Sequence, residues 1–139
     1  MRASFLVVVF VAALLHSAEK KAKPNLLDGK WEVVAAKFDG ADVQRLKGRV
    51  LAFTDSKMVV DSSDKKENAL SYTLDTKADP MHIDLERASA KQKALGIFVI
   101  EKDELKICYG EPSSARPKEF ESKIGDKNFL LILKRVKAD

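Results

Sequence analysis

Side chains that could perform acid–base or nucleophilic chemistry are few in this sequence, and one pair is close enough to consider. His82 and Asp84 are two residues apart, and a histidine oriented by a carboxylate is a common arrangement for proton transfer. In a strand this spacing places both side chains on the same outward face. We interpret them as a surface pair; the alternative is a catalytic base with its orienting partner.

The single cysteine, Cys108, cannot form an internal disulfide. We expect a small buried hydrophobe, because His82 is the one histidine outside the N-terminal segment that we interpret below as a signal peptide, and only it could activate the thiol as a nucleophile. One histidine and one cysteine in the predicted mature chain are too few for a zinc site, which needs three or four ligands. The phosphate-binding pattern G-x-x-x-x-G-K-[ST] is absent from the sequence. The 21 acidic side chains include no distinguishable pair, so the sequence predicts no enzyme, no cofactor and no metal.

The sequence predicts that short β-strands position these side chains. About eight apolar or alternating runs are separated by polar turns, and no segment has convincing amphipathic helical periodicity. The predicted strands are the tryptophan strand within 28–40, followed by 49–54, 58–62, 69–74, 82–86, 95–100, 104–109, 119–122 and 129–135.

Such regular spacing predicts an all-β fold, and short hairpin connections favour a small antiparallel up-and-down β-barrel over a sandwich. Closure would make the first and last strands neighbours, so we expect Trp31 and Arg135 to pack together at the closed end. In the first strand Trp31 alternates with Val33, but Val34 and Ala36 blur the pattern, which suggests cover on both faces. The continuous apolar run at 95–100 is also expected to be covered on both faces.

The alternation predicts an interior that large side chains mostly fill, leaving at most a small pocket. The inward set is Leu51, Phe53, Leu70, Tyr72, Leu74, Ile83, Leu85, Leu105, Ile107, Tyr109, Phe120, Phe129, Leu131 and Leu133. The candidate cavity-lining residues are Phe53, Tyr72, Leu85, Ile97, Ile107, Phe120 and Leu131.

Two predicted loops carry basic residues: the loop that contains Arg116 and the loop 87–93. Arg116 could meet an anionic ligand at the barrel mouth. We favour a structural role, in which Arg116 bonds loop carbonyls and Pro117 fixes the entry into the Phe120 strand. The basic loop 87–93 is interpreted as a solvated surface.

The N-terminus predicts export. Arg2, an apolar run of eleven residues at 5–15 and small residues after it are typical of a secretory signal peptide. A membrane span needs roughly 20 apolar residues, so no stable span is expected after cleavage. We predict a signal peptide at 1–18, a charged tether at 19–25 and one domain at 26–136, in the periplasm or secreted.

Charge and composition exclude one class of partner. The chain has 139 residues, 45% of them apolar, and its net charge of +4 arises from basic and acidic residues spread along it. No basic block is interleaved with aromatic residues, so nucleic acid is not an expected partner.

A set of motifs occurs in a familiar order: Gly29-Lys-Trp31, Ile83-Asp-Leu85, Leu95-Gly-Ile97, the run 103–108, Arg116-Pro117 with Phe120, and Leu133-Lys-Arg135. Together they resemble a domain family of unknown function that is abundant in planctomycete bacteria and is described as lipocalin-like. The resemblance covers roughly 26–136. It implies a lipocalin-like barrel and brings no catalytic residues.

The expected function is therefore that of an exported, non-enzymatic barrel that binds a small apolar ligand. The alternative is an envelope protein-interaction module, similar to an inhibitor. A solvent-open cavity lined by Phe53, Tyr72 and Ile97 would favour the ligand binder, whereas a filled interior with an exposed apolar loop would favour the interaction module.

Overall fold

The computed structural model describes residues 26–60, 69–87 and 92–137. The predicted signal peptide and tether, at 1–25, lie outside the described residues. All of the described secondary structure lies within the predicted domain at 26–136.

The described chain is built from β-strands and one short 3₁₀-helix at Gln44–Leu46. The strands are β1 (Gly29–Phe38), β2 (Ala41–Asp42), β3 (Val50–Thr54), β4 (Lys57–Val60), β5 (Leu70–Asp75), β6 (Met81–Arg87), β7 (Lys93–Glu101), β8 (Glu104–Tyr109) and β9 (Phe129–Arg135).

These strands form one antiparallel sheet in which each pairs with its neighbour in the order β2-β1-β3-β4-β5-β6-β7-β8-β9. β1 also pairs with β9, so eight strands close into a barrel. The two-residue β2 is an addition that pairs only with the end of β1. The predicted all-β, antiparallel, up-and-down barrel is confirmed.

The two ends of the barrel differ. One end holds the start of β1, the end of β9 and the tight β3–β4 and β7–β8 turns; we call it the closed end. In the β3–β4 turn both Asp55 and Ser56 have positive φ, at 52° and 62°, as a two-residue type I′ hairpin requires. The other end, the mouth, is where β1, β4, β6 and β8 finish and where the longer connections run.

A bulge in β1 explains its blurred alternation. Pairing with β9 shifts register between Val33 and Ala35, which leaves Val34 as the extra residue. Trp31 and Val33 point inward before the bulge, and the buried Ala36 points inward after it. Val34 is exposed. The expectation that β1 is covered on both faces is therefore wrong: the strand changes phase and keeps an open outer face.

The chain between β8 and β9, residues 110–128, runs over the outside of the barrel, and we call it the outer segment. It contains no strand, so the predicted strand at 119–122 is wrong. β8 pairs directly with β9, which leaves no sheet position between them. The apolar residue of the 119–122 segment, Phe120, is half-buried within the outer segment and does not point into the barrel.

The outer segment covers part of the outer face of β7 and β8. Phe98 belongs to the barrel core, so its neighbour Ile97 faces outward, and it is nevertheless only 1% exposed. Ile97 lies opposite Cys108 in the register, and Cys108 is also fully buried. The Cys108 Sγ lies 3.3 Å from the carbonyl oxygen of Glu121 in the outer segment. The prediction that β7 is covered on both faces is thus confirmed at Ile97.

Candidate functional site

The closed half of the barrel is a packed core. Its largest side chains, Trp31, Phe53 and Phe98, are fully buried. The Trp31 Nε1 donates a hydrogen bond of 2.9 Å to the carbonyl oxygen of Leu27, which is itself fully buried beneath the barrel. The guanidinium carbon of Arg135 lies 4.2 Å from the centroid of the Trp31 ring. Among the described residues, this end of the barrel is therefore closely packed.

The mouth half is different because several of its inward positions carry small residues. Ala36 on β1 and Ala94 on β7 are inward and buried. Gly96 follows at the next inward position of β7, between Ile83 and Tyr109 in the register. A Cβ atom on Gly96 would lie 2.7 Å from the Cys108 carbonyl oxygen and from Tyr109 Cβ. Gly96 therefore allows close contact between β7 and β8, and Ala94 is the small inward residue that borders open space.

That space forms two adjoining cavities that open to solvent at the mouth. Their volumes are about 370 Å³ and about 450 Å³, within the range of roughly 300–1,000 Å³ that is usual for small-molecule sites. The described residues shared by both linings are Leu70, Arg87, Tyr109 and Phe129. The expectation of at most a small pocket is therefore wrong for the mouth half, although the closed half is filled.

The walls of the cavities are mostly apolar. The larger cavity is lined by inward residues of β1, β3, β4, β5 and β9: Val33, Leu51, Met58, Val60, Leu70 and Leu131. In the smaller one Leu85 and Ala94 lie beside the rings of Phe38, Tyr109 and Phe129. Tyr109 and Phe129 are stacked, with ring centroids 5.3 Å apart and an interplanar angle of 0°. Aromatic and aliphatic surfaces of this kind suit an apolar ligand.

Basic side chains lie at the rim of this apolar space. Arg45 and Arg49 line the larger cavity, Lys127 lines the smaller one, and Arg87 lines both. Glu111 is the acidic residue among the described lining residues. The described part of the rim is therefore electropositive, and a positive potential attracts an anionic group.

The prediction of a loop is wrong at Arg87, whereas the predicted exposure of this residue to solvent is confirmed. β6 continues through Arg87, which pairs with Leu70 of β5. Ile83 and Leu85 occupy the preceding inward positions and are buried, so the two-residue period places Arg87 on the inward face as well. The side chain is exposed, because it lies at the mouth where the barrel opens.

Two tyrosines have perturbed acidity. Burial raises the pKa of Tyr109 to about 12, even though the nearby charge of Arg87 acts to lower it. Burial also raises the pKa of Tyr72 to about 12, with further contributions from the charges of Asp28 and Asp55. Both phenols therefore keep their protons at neutral pH and can donate hydrogen bonds. The Tyr109 hydroxyl belongs to a residue of the cavity lining, whereas Tyr72 lies in the packed core.

The seven candidate cavity-lining residues fall into three groups. Leu85 and Leu131 line the cavities. Phe53, Tyr72 and Ile107 are buried in the barrel core and are absent from both linings. Ile97 and Phe120 are outside the barrel, as described above. The prediction relied on inward orientation and size, whereas the cavity linings differ from the core by lying towards the mouth of the barrel.

Arg116 has a structural position. Its Nη1 donates hydrogen bonds of 2.7 Å to Asp84 Oδ1 and to the carbonyl oxygen of Gly96. The carbonyl belongs to β7 rather than to a loop, and the contacts fasten the outer segment to the barrel wall. Because Asp84 faces outward and accepts a hydrogen bond from Arg116, it serves as an anchor for that segment.

The outer segment also covers the thiol of Cys108. Burial is the largest cause of the raised pKa of this thiol.

Two further features were sought in the described ranges. No cluster of three or more His, Cys, Asp or Glu side chains there could hold a metal ion. Nor does that part of the chain contain a helix with the length and apolar content needed to cross a membrane.

Comparisons of the chain with protein-family models, with curated proteins and with solved structures found no match. The geometry of the cavity is therefore the basis for assigning a function.

Proposed function

We propose that this protein is an exported, non-enzymatic, lipocalin-like barrel that binds one small, largely apolar molecule in its mouth half. The observation that carries the proposal is the solvent-open cavity walled by the inward faces of the strands. Barrels of about eight strands have interiors that side chains just fill or that hold one small ligand. Here the closed half follows the first pattern and the mouth half the second.

The physical driving force would be burial of apolar surface. Leu51, Leu70, Leu85 and Leu131 present aliphatic surface to the cavities, and such burial contributes roughly 25 cal/mol per Å². The rigid core at the closed end holds these walls in place before a ligand enters. A preformed site of this kind loses little conformational entropy on binding.

An envelope protein-interaction module remains the second candidate, and one observation favours it. Ile124, in the outer segment, is 90% exposed. Single exposed apolar residues are common on soluble proteins, whereas an interaction site usually presents a contiguous patch. The cavity is the larger and more organised feature, so we place ligand binding first.

Export is part of the proposal and rests on the sequence of the first 18 residues. Arg2 and the apolar run at 5–15 support a cleaved signal peptide. The mature protein is expected to begin at or near Glu19. Intact-mass measurement of secreted material checks this, and retention of Met1 would contradict it.

Native mass spectrometry of protein purified from its own host tests the binding function. The expected spectrum contains the mature chain with one additional small-molecule mass, which disappears when the same sample is denatured. A ligand-free chain that carries a second protein in stoichiometric amount would instead support the interaction module. Denatured protein from the same preparation is the control for covalent modification.

A further inference from the structure

We propose that the ligand is an amphipathic carboxylic acid, whose carboxylate is bound by Arg87 at the mouth while its apolar part occupies the cavity. This inference rests on the proposed function and deepens it. It assigns the chemical class of the ligand and the residue that distinguishes that class from neutral apolar molecules.

The position of Arg87 is the main argument. It follows Met81, Ile83 and Leu85 as the last inward residue of β6, and it lines both cavities. Its exposed side chain lies at the mouth and is not part of the packed core. A guanidinium at the boundary between apolar space and solvent can hold a carboxylate through two parallel hydrogen bonds.

The neighbourhood of Arg87 does not neutralise it. Among the described residues, no carboxylate forms an ion pair with Arg87, and no hydrogen bond of its guanidinium to another described side chain is found. Among the described lining residues the rim also carries Arg45 and Lys127, and Glu111 is the one acidic residue. A neutral ligand would form no ion pair with these basic side chains, whereas one anionic head group would complement their charge.

Tyr109 adds a second donor. It lines both cavities beside Arg87 and is half-buried. Because its pKa is raised to about 12, mainly by burial, the phenol stays protonated and can donate a hydrogen bond to the same carboxylate. An apolar chain extending from this point would meet Leu70, Leu85 and Leu131. The residues that would bind the head group and the residues that would contact the apolar chain are therefore adjacent in one site.

Dodecanoate and dodecanol test this proposal, because they have the same apolar chain and differ in head-group charge. Their affinities are measured on the purified protein below their micelle concentrations, by displacement of the neutral fluorophore N-phenyl-naphthylamine. We expect dodecanoate to bind about tenfold or more tightly than dodecanol, as a charge-assisted hydrogen bond would provide. In Arg87→Gln most of the preference should be lost, through lower dodecanoate affinity alone, while Arg45, Lys127 and Tyr109 retain a small part of it. Arg87→Lys should retain more of the preference than Arg87→Gln.

Lys30→Gln is the matched control, since it removes one positive charge from an exposed position on β1 near the closed end. It should leave both affinities unchanged. Equal affinities of the original protein for dodecanoate and dodecanol would overturn the carboxylate assignment and leave the apolar site standing. An Arg87→Gln protein that keeps the full preference would overturn the assignment of the carboxylate to Arg87. Failure of the fluorophore and of both dodecyl compounds to bind would overturn the proposed function itself and this inference with it.

Discussion

Trp31 and Arg135 are paired opposite each other where β1 and β9 close the barrel. The Arg135 guanidinium carbon lies 4.2 Å from the centroid of the indole ring, and its Nη1 donates a hydrogen bond of 3.4 Å to the carbonyl oxygen of Asp28. Gly29 leaves space for this approach, because a Cβ there would lie 3.3 Å from the same nitrogen. The first and last strands are thus joined by side chains as well as by backbone hydrogen bonds.

Arg135→Ala should lower the unfolding midpoint and shift the fluorescence of Trp31, the single tryptophan of the chain. We expect a loss of about 0.5–2 kcal/mol in the free energy of unfolding, the usual contribution of a guanidinium over an indole. Lys134→Ala is the control, because Lys134 is exposed on the other face of the same strand. Equal effects of the two substitutions would show that Arg135 does not stabilise the closed end.

Phe53→Ala should be costly, because Phe53 is fully buried in the closed half and packs edge-on against Tyr72 at a centroid distance of 5.7 Å. Truncation of a large buried aromatic residue costs roughly 3–5 kcal/mol. Leu70→Ala, at the wall of the cavity, should cost only about 1 kcal/mol, because part of that side chain already faces open space. Chemical denaturation measures both. Similar losses for the two variants would contradict the division into a packed half and an open half.

Arg116→Ala should loosen the outer segment by removing the two hydrogen bonds to Asp84 and Gly96. We expect Cys108, now fully buried, to react several-fold faster with a thiol reagent, and stability to fall by roughly 1–2 kcal/mol. Lys118→Ala is the control from the same segment, since Lys118 is exposed. Unchanged thiol reactivity in Arg116→Ala would contradict an anchoring role.

Much of the fold follows from patterns in the sequence. Alternation placed β5, β6 and β8 with the correct inward residues, and short hairpin connections required the last strand to pair with the first. The 119–122 segment was wrongly predicted as a strand because Phe120 is its single apolar residue, too weak a signal to separate a strand from a covering loop. The bulge at Val34 was not predicted, because a one-residue change of phase and burial of both faces produce the same run of consecutive apolar residues in the sequence.

The candidate site was only partly predictable. Leu85 and Leu131 were identified as lining residues, but the choice of large side chains directed attention to Phe53 and Tyr72, which fill the core. Alternation predicts which side chains point inward but not how far along the barrel the packed core extends, so it does not distinguish core residues from cavity-lining residues. The inward position of Arg87 follows from the alternation of Ile83 and Leu85 when the period of two is continued by one more residue. The sequence did not indicate it clearly, because Arg87 also begins a basic segment that is typical of a loop.

The most direct test of the account is to fill the cavity and measure binding of a neutral apolar probe. Ala94→Phe places a ring into the smaller cavity from the inward face of β7, and Val99→Phe places the same ring on the outer face of that strand. We predict that the original protein and Val99→Phe bind N-phenyl-naphthylamine at one site. Ala94→Phe should bind it about tenfold or more weakly, because the added ring occupies the volume of the probe. Its unfolding midpoint should be unchanged or raised, because the ring fills an existing cavity and buries apolar surface. Unaltered probe affinity in a folded Ala94→Phe protein would contradict ligand binding in the mouth half of the barrel.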